Sequence, residues 1–439
     1  MKHSSEARRD AIAALGSTTV HAATKRACLI FDLGGRLRAL IEPGDSVTPQ
    51  DARSAVEAAM AQAAEVFWSG EVWIDHNVST ADRILFDTAW RQATPEPQGQ
   101  NHTFVLERRL SKDAWCGGPL EPPWPPNGHT PPIVSFYSFK GGVGRTTALL
   151  AVAVNAARAG KKVVVVDLDL EAPGAGGLLQ DDPTLRVPVG VVDYLLEKPL
   201  VGSIDLDIGE FCQTCTDARI IGDGEPIVGV PAGCIDENYL EKLARVNYAN
   251  LYQRAVEQGA RRSPLHQLLC QLRSRVKPDL VLVDSRAGLH DMGGLTLSGI
   301  AHFHVIFGLA SEQSWSGLSL VLTHLGKDMI LAGKPQQDCT VVHAMAPPQD
   351  PARSLAINEF KERSFEVFSG VYYDAPGTPN ALWPVPDAES GEAPHYPTTL
   401  TWDGRVMGYS SLAAVAGYLA EGEPLALTRR ILDKVGRPL

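Results

Sequence analysis

Nine residues, Phe139-Lys140-Gly141-Gly142-Val143-Gly144-Arg145-Thr146-Thr147, gather three glycines, two cations and two hydroxyls between an apolar run (IVSFYS) and a helical one (ALLAVAVNAA). Glycines in such a turn let backbone N–H groups curl around an anion without Cβ obstruction. The helix that starts at Arg145 aims its free amides and the positive end of its dipole at the same point. The anion this suits is a phosphate chain. Thr146 sits where a hydroxyl hands an oxygen to Mg²⁺, and Thr147 backs the first phosphate. Two further segments end in carboxylates. Asp167 and Asp169 close the run KVVVVDLDL, two residues apart and so on one side of a strand. Asp284 closes DLVLVD, where it can hold Mg²⁺ through water.

Residues of this kind need strand ends to hold them. Six β-rich apolar runs, IVSFY, KVVVVDL, IVGVPAG, LVLVD, FHVIFGL and CTVVHAM, alternate with helical segments between about Ile133 and Pro347. That alternation predicts an α/β domain over 133–347 with a doubly wound, mostly parallel sheet, whose carboxyl edge carries the ligand. Upstream, 26–111 reads as a small α+β domain: a hairpin about Gly34-Gly35, a helix from Thr48-Pro49 to Trp68, a strand GEVWIDH, a helix from Ser79 to Ala93, and a last strand HTFVLERRL. Residues 1–25 read as a polar segment. The proline- and glycine-rich 112–132 reads as an extended linker, and 348–439 as a C-terminal extension with a proline-rich loop and terminal helices.

Composition narrows the function classes. With 44% hydrophobic and 21% charged residues the chain has material for a sizeable core, which excludes bulk disorder. A net charge of −11 gives no strong nucleic-acid signal and no general affinity for anionic lipid. The polar start reads as no secretory signal, TALLAVAVNAA is too short to span a bilayer, and seven scattered cysteines suit reduced thiols. The expectation is a cytoplasmic protein.

KGGVGRTT resembles the deviant Walker A motif, KGGVGKTT, of the ParA/MinD-type ATPases, and more closely the variant group known as KGGVGR-motif ATPases. DSRAG, Asp284 to Gly288, is similar to the DSRTG-like segment of that group. The resemblance covers roughly half of the chain. It implies a P-loop NTPase that binds ATP and Mg²⁺ through Lys140, Gly141, Gly142, Val143, Gly144, Arg145, Thr146, Thr147 and Gly288. Thr146, Asp167 and Asp284 lie toward the metal, and Asp169 orients the attacking water. Asp169, Lys140 and Arg145 are thus the candidate catalytic residues, and Gly288 matches the switch glycine that meets the γ-phosphate. Lys140 matches the signature lysine that reaches nucleotide in the opposite subunit, which implies a nucleotide-dependent homodimer. Two departures stand out: Phe139 replaces the first glycine of the general pattern, and Arg145 replaces the P-loop lysine. An arginine keeps the charge but not the lysine's point contact, so binding is better supported than turnover. Arg286 is open between phosphate contact, partner contact and structural ion pair. His343 to Pro347 fall where relatives contact the base. A regulatory or defence process, with a protein partner on the N- or C-terminal region, follows by analogy only. The alternatives are a non-hydrolysing scaffold and a bacterial tyrosine-kinase-like protein, although the chain end lacks a tyrosine cluster.

Three weaker signals are read as structural. Cys212 and Cys215 form a single CxxC without further ligands. His302 and His304 flank Phe303 in a strand and read as satisfied core histidines. The terminal LALTRRILDKVGRPL carries Arg429, Arg430, Lys434 and Arg437, and reads as a surface helix packing on the body rather than a membrane contact.

Overall fold

The computed structural model describes residues 2–96, 102–180, 189–252, 263–331, 333, 337–375, 378 and 383–439. They form two compact units, Met1–Leu110 and Ser111–Leu439.

The first unit is a five-stranded sheet in the order β3-β2-β1-β5-β4, built from β1 (Thr24–Phe31), β2 (Leu37–Pro43), β3 (Trp68–Ile74), β4 (Thr94–Pro95) and β5 (Thr103–Glu107). β1 and β2 make the expected antiparallel hairpin. Helices α1 (Ser4–Leu15) and α2 (Thr18–Ala23) precede the sheet, and α3 (Pro49–Ala64) and α4 (Thr80–Gln92) follow β2 and β3. Thr48 and Ser79 cap α3 and α4, each accepting from the backbone N–H three residues on. The two N-terminal helices correct the reading of 1–25 as a mere polar segment. Ala7, Ala11 and Leu15 fall on one face at four-residue spacing, and all three are buried.

The second unit is an eight-stranded sheet in the order β13-β12-β11-β6-β10-β7-β9-β8. β6 (Ile133–Ser138), β7 (Val163–Leu168), β9 (Ile227–Val230), β10 (Leu280–Ser285), β11 (Phe303–Gly308) and β12 (Cys339–Ala346) are the six runs read from sequence, all paired in parallel. Each is buried on both faces, which is why it reads as a continuous apolar run. Two edge strands escaped that reading. β8 (Gln213–Cys215) pairs antiparallel with β9, and β13 (Thr398–Thr401) pairs parallel with β12.

The extension beyond Pro347 therefore contributes to the same sheet. Its helices α9 (Ala352–Val371), α10 (Leu412–Leu419) and α11 (Gly422–Lys434) follow α5 (Arg145–Arg158), α6 (Val191–Val201), α7 (Pro264–Val276) and α8 (Glu312–Leu325). α10 and α11 cover α5, whose residues from Ala148 to Ala157 are all buried. One buried polar residue of α5, Asn155, sits in that contact. Its Nδ2 donates to the Ala151 carbonyl, to the Leu419 carbonyl at the end of α10, and to Thr428 Oγ1 on α11. A carbonyl in a helix's last turn has no intrahelical donor, so Asn155 supplies one from outside. Asn155→Ala is expected to lower unfolding stability by about 2 kcal/mol, through a stranded carbonyl and a small void. Urea titration checks this; a variant as stable as wild type would mean the contact contributes nothing.

The proline-rich 112–132 also belongs to this unit rather than hanging between two. Trp124 is buried with its Nε1 donating to the Pro131 carbonyl, and Leu120 is buried beside the Ser298 carbonyl that its N–H binds. Proline-rich backbone has few donors to satisfy, so it lies on an apolar surface at little cost.

Candidate functional site

Strand register assembles the carboxylates. Asp284 pairs across β10 with Asp167 on β7 and with Phe136 on β6, so all three segments end at one edge. The loop from Phe139 to Gly144 leaves β6 at that edge and turns into α5. Gly142 (φ 73°) and Gly144 (φ 79°) adopt the left-handed conformation that side chains resist. Gly144 is the N-cap of α5 and has no side chain to satisfy the first amides, which stay available for an anion. Phe139, in place of a glycine, lies against α8, where a Cβ on Gly317 would run into its ring.

Arg145 is 8% exposed and bridges two acids. Its Nε donates to Asp284 Oδ1 at 2.7 Å and its Nη2 to Asp169 Oδ2 at 2.7 Å. Thr146 Oγ1 donates to the other Asp284 oxygen at 2.6 Å. Burial works against the guanidinium's charge, but Asp284 and Asp169 hold its pKa above the ordinary arginine value. Burial pushes Asp284 up, opposed chiefly by Arg145. Asp167 is fully buried and accepts from the backbone N–H groups of Asp169, Gly174 and Gly176. Burial, with the Asp284 carboxylate beside it, pushes Asp167 up to about 7, against the pull of those three donors. Its visible work is holding the loop after β7; Thr146 Oγ1 and Asp284 Oδ2, bonded to each other, are the oxygens that would have to part to hold a metal. Hard oxygens of this kind suit Mg²⁺, which commonly takes one or two protein ligands and fills the rest with phosphate and water.

Arg286 forms an ion pair: its Nη1 lies 2.9 Å from Asp169 Oδ1 and its Nε 3.5 Å from Glu171 Oε2. Asp169 is thus held by two guanidinium groups, one from each side. Glu171 Oε1 accepts from His290 Nε2 at 2.8 Å and from Tyr248 Oη at 3.1 Å. Gly288, at φ 72°, donates its N–H to the Ser138 carbonyl, and its own carbonyl accepts from Tyr137 Oη. That N–H must leave Ser138 before it can meet a phosphate. Lys140 is half-buried, and none of the ion pairs here joins it to another described residue.

An apolar pocket opens beside the loop, lined by Val143 of the loop, Thr147 and Ala148 of α5, Met345 of β12, Leu400 of β13 and Trp402 just after it. Tyr409 Oη lies 3.4 Å from Thr147 Oγ1. Of the stretch His343 to Pro347, Met345 lines this pocket. His343 instead stacks on Phe360, ring centroids 4.2 Å apart, and burial pulls it down to about 4.

Glu171, Tyr248, His290, Trp402 and Tyr409 were not singled out from sequence. Glu171 follows Asp169 by two residues and so was within reach of the same parity argument. The others come from 77 or more residues away. The residues set aside behave structurally. His304 Nδ1 lies 2.7 Å from Ser135 Oγ and burial pulls it down to about 3; His302 Nδ1 accepts from the Ile133 N–H. Cys215 is buried, and the described residues hold no cluster of three or more His, Cys, Asp or Glu suited to a metal. α11 buries Leu427, Ile431 and Leu432, while Arg430, Lys434 and Arg437 donate to carbonyls of Ala393, Glu392 and Thr130. No helix among the described residues is long and apolar enough to cross a membrane.

A phosphate-type loop on the central strand of a parallel sheet, with acids at the neighbouring strand ends, defines a P-loop nucleotide-binding domain. Residues 134–363 match the family described as the CobQ/CobB/MinD/ParA nucleotide binding domain, and the chain belongs to it. Solved structures of similar fold include the septum site-determining protein MinD complexed with Mg-ADP from Pyrococcus horikoshii OT3. It is 16% identical at TM-score 0.42, covering 70% of this chain and 96% of that one. A putative plasmid partition protein from Borrelia burgdorferi B31 bound to AMPPNP is 13% identical at TM-score 0.42, covering 70% and 99%. Cobyrinic acid a,c-diamide synthase from Mycobacterium smegmatis, with bound ADP and magnesium, is 18% identical at TM-score 0.38, covering 53% and 82%. A search of curated proteins finds no significant match.

Proposed function

We propose that the chain is a Mg²⁺-dependent ATPase of slow turnover, acting as a dimeric nucleotide switch in the cytoplasm. The observation that carries this reading is the double grip on Asp169, by Arg145 from the phosphate loop and Arg286 from the segment after β10. Phosphoryl transfer asks the protein mainly for positioning and charge neutralisation. The amides of 141–147 would cradle the phosphates, and Thr146 with Asp284 would hold the metal, which supplies charge neutralisation at the phosphate oxygens. The apolar pocket about Met345 and Trp402 takes the base. Asp169 would orient the attacking water. Binding would pull Arg145 toward phosphate and free Gly288 N–H from Ser138, so both loops report the ligand. A partner on the N-terminal unit or the C-terminal helices would read that change, in a regulatory or defence-type process.

The test is phosphate release from Mg·ATP at low and high protein concentration, beside Asp169→Ala. Wild type is expected to turn over, faster per molecule when concentrated, and Asp169→Ala to fall by roughly a hundredfold or more while still binding nucleotide. One observation favours a second reading, a scaffold that binds without hydrolysis: Arg145 is already engaged by two buried acids. ATP binding with no phosphate release at any concentration would select it.

A further inference from the structure

Glu171 stands outside the phosphate loop and the two acid motifs, yet three side chains converge on it. His290 is fixed first: its Nδ1 accepts from the Met292 N–H, and its carbonyl accepts from Trp115 Nε1. Nε2 therefore carries the proton and donates to Glu171 Oε1 without needing a charged ring. Tyr248 packs edge-on against His290, ring centroids 5.2 Å apart, and donates to the same oxygen. Tyr239 Oη fixes the backbone beside it by donating to the Leu170 carbonyl at 2.7 Å. One oxygen of Glu171 is thus clamped by two well-seated groups, and the backbone beside it by a third.

The other oxygen is different. Glu171 Oε2 is buried and accepts no hydrogen bond, and Arg286 Nε stands 3.5 Å away, short of one. A buried carboxylate oxygen without a donor is costly, and the cost is relieved by a small approach of Arg286. In the ligand-free protein that approach is opposed by Arg286's bond to Asp169. Arg286 accordingly has two anchors, one made and one in reserve.

We propose that Glu171 is a positioning residue for Arg286, and that it sets how strongly this site prefers a nucleoside triphosphate over a diphosphate. The inference rests on the reading of the loop as a triphosphate site. The base pocket lies by Thr147 and Met345, so the terminal phosphate falls at the far end of the loop, by Asp169. When that phosphate arrives, Asp169 turns to the attacking water, and Arg286, 30% exposed and released from Asp169, faces the phosphate with Glu171 as its remaining anchor. A diphosphate does not reach Asp169 and leaves Arg286 where it is. Glu171 then contributes to the affinity of one ligand and not the other.

The measurement is the affinity of the full chain, with Mg²⁺, for fluorescent N-methylanthraniloyl derivatives of ATPγS and ADP. Glu171→Gln keeps the shape and the contacts to Tyr248 and His290 but removes the charge that receives Arg286. It is expected to weaken the triphosphate analogue roughly tenfold and leave the diphosphate within about twofold. Arg286→Lys should shift the ratio in the same direction, and the double variant should add little to either. Tyr248→Phe, a milder loosening of the same clamp, should shift it by a smaller factor and covers the case in which Glu171→Gln does not fold. A ratio unchanged in every folded variant, or equal weakening of both nucleotides, overturns the proposal. A wild-type chain that binds neither analogue overturns the triphosphate reading itself, and the inference with it.

Discussion

Arg145→Ala is expected to cost the ligand-free second unit about 3–5 kcal/mol, because it strands buried carboxylates that have no other cation of equal reach. Asp284 is 0% exposed and Asp169 5% exposed, and Arg145 is the shared partner of both. Arg286 reaches Asp169 only, and Thr146 offers Asp284 a neutral hydroxyl. The thermal midpoint should fall by roughly 5–10 °C. Arg145→Lys should lose less: a single ammonium can keep one of the two contacts but not the fork. Adding Asp284→Asn to Arg145→Ala should recover part of the loss, since the cost lies in an unpaired charge rather than a missing contact. Calorimetry of the four proteins checks this. An alanine variant within 2 °C of wild type would mean that the acids relax or take up protons at little cost.

The same argument explains what could be read from sequence. The phosphate loop, Asp167, Asp169 and Asp284 were legible because each is the last word of an apolar strand, and the sheet register then has no freedom but to bring them together. The six central strands were legible because burial on both faces makes them largely apolar, with polar residues such as Ser135, His304 and Thr340 too sparse to blur them. β13 was not: TTLT is four half-buried residues after a proline-rich loop, and only its pairing with β12 makes it a strand. Asn155 gave no signal either, since its partners lie about 264 and 273 residues away. The linker expectation failed for a related reason. Proline marks a segment that needs few backbone donors, and that serves a packed strap as well as a free one. Arg145 was legible as a departure from the lysine pattern, but not its bridge between two acids, which needs both strand ends in place.

Lys140→Ala separates the switch from a simple binding site through its effect on turnover. Lys140 is half-buried at the start of the loop, and within the described chain no acid pairs with it. A lysine held without a counter-ion beside an anion site is placed for a phosphate, either its own subunit's or a facing one's. The two cases differ in what is lost. If it reaches across, removing it deletes a charge-assisted bond made only in the dimer, so turnover at high concentration should drop about a hundredfold. Nucleotide affinity at low concentration should hardly change. Sedimentation with Mg²⁺ and ATPγS should then show a dimer for wild type and a monomer for the variant. If it serves its own site, affinity falls at every concentration and the assembly state follows occupancy alike in both proteins. The charge removed is the same in either case, so the concentration dependence, not the size of the defect, decides whether a second copy completes the site.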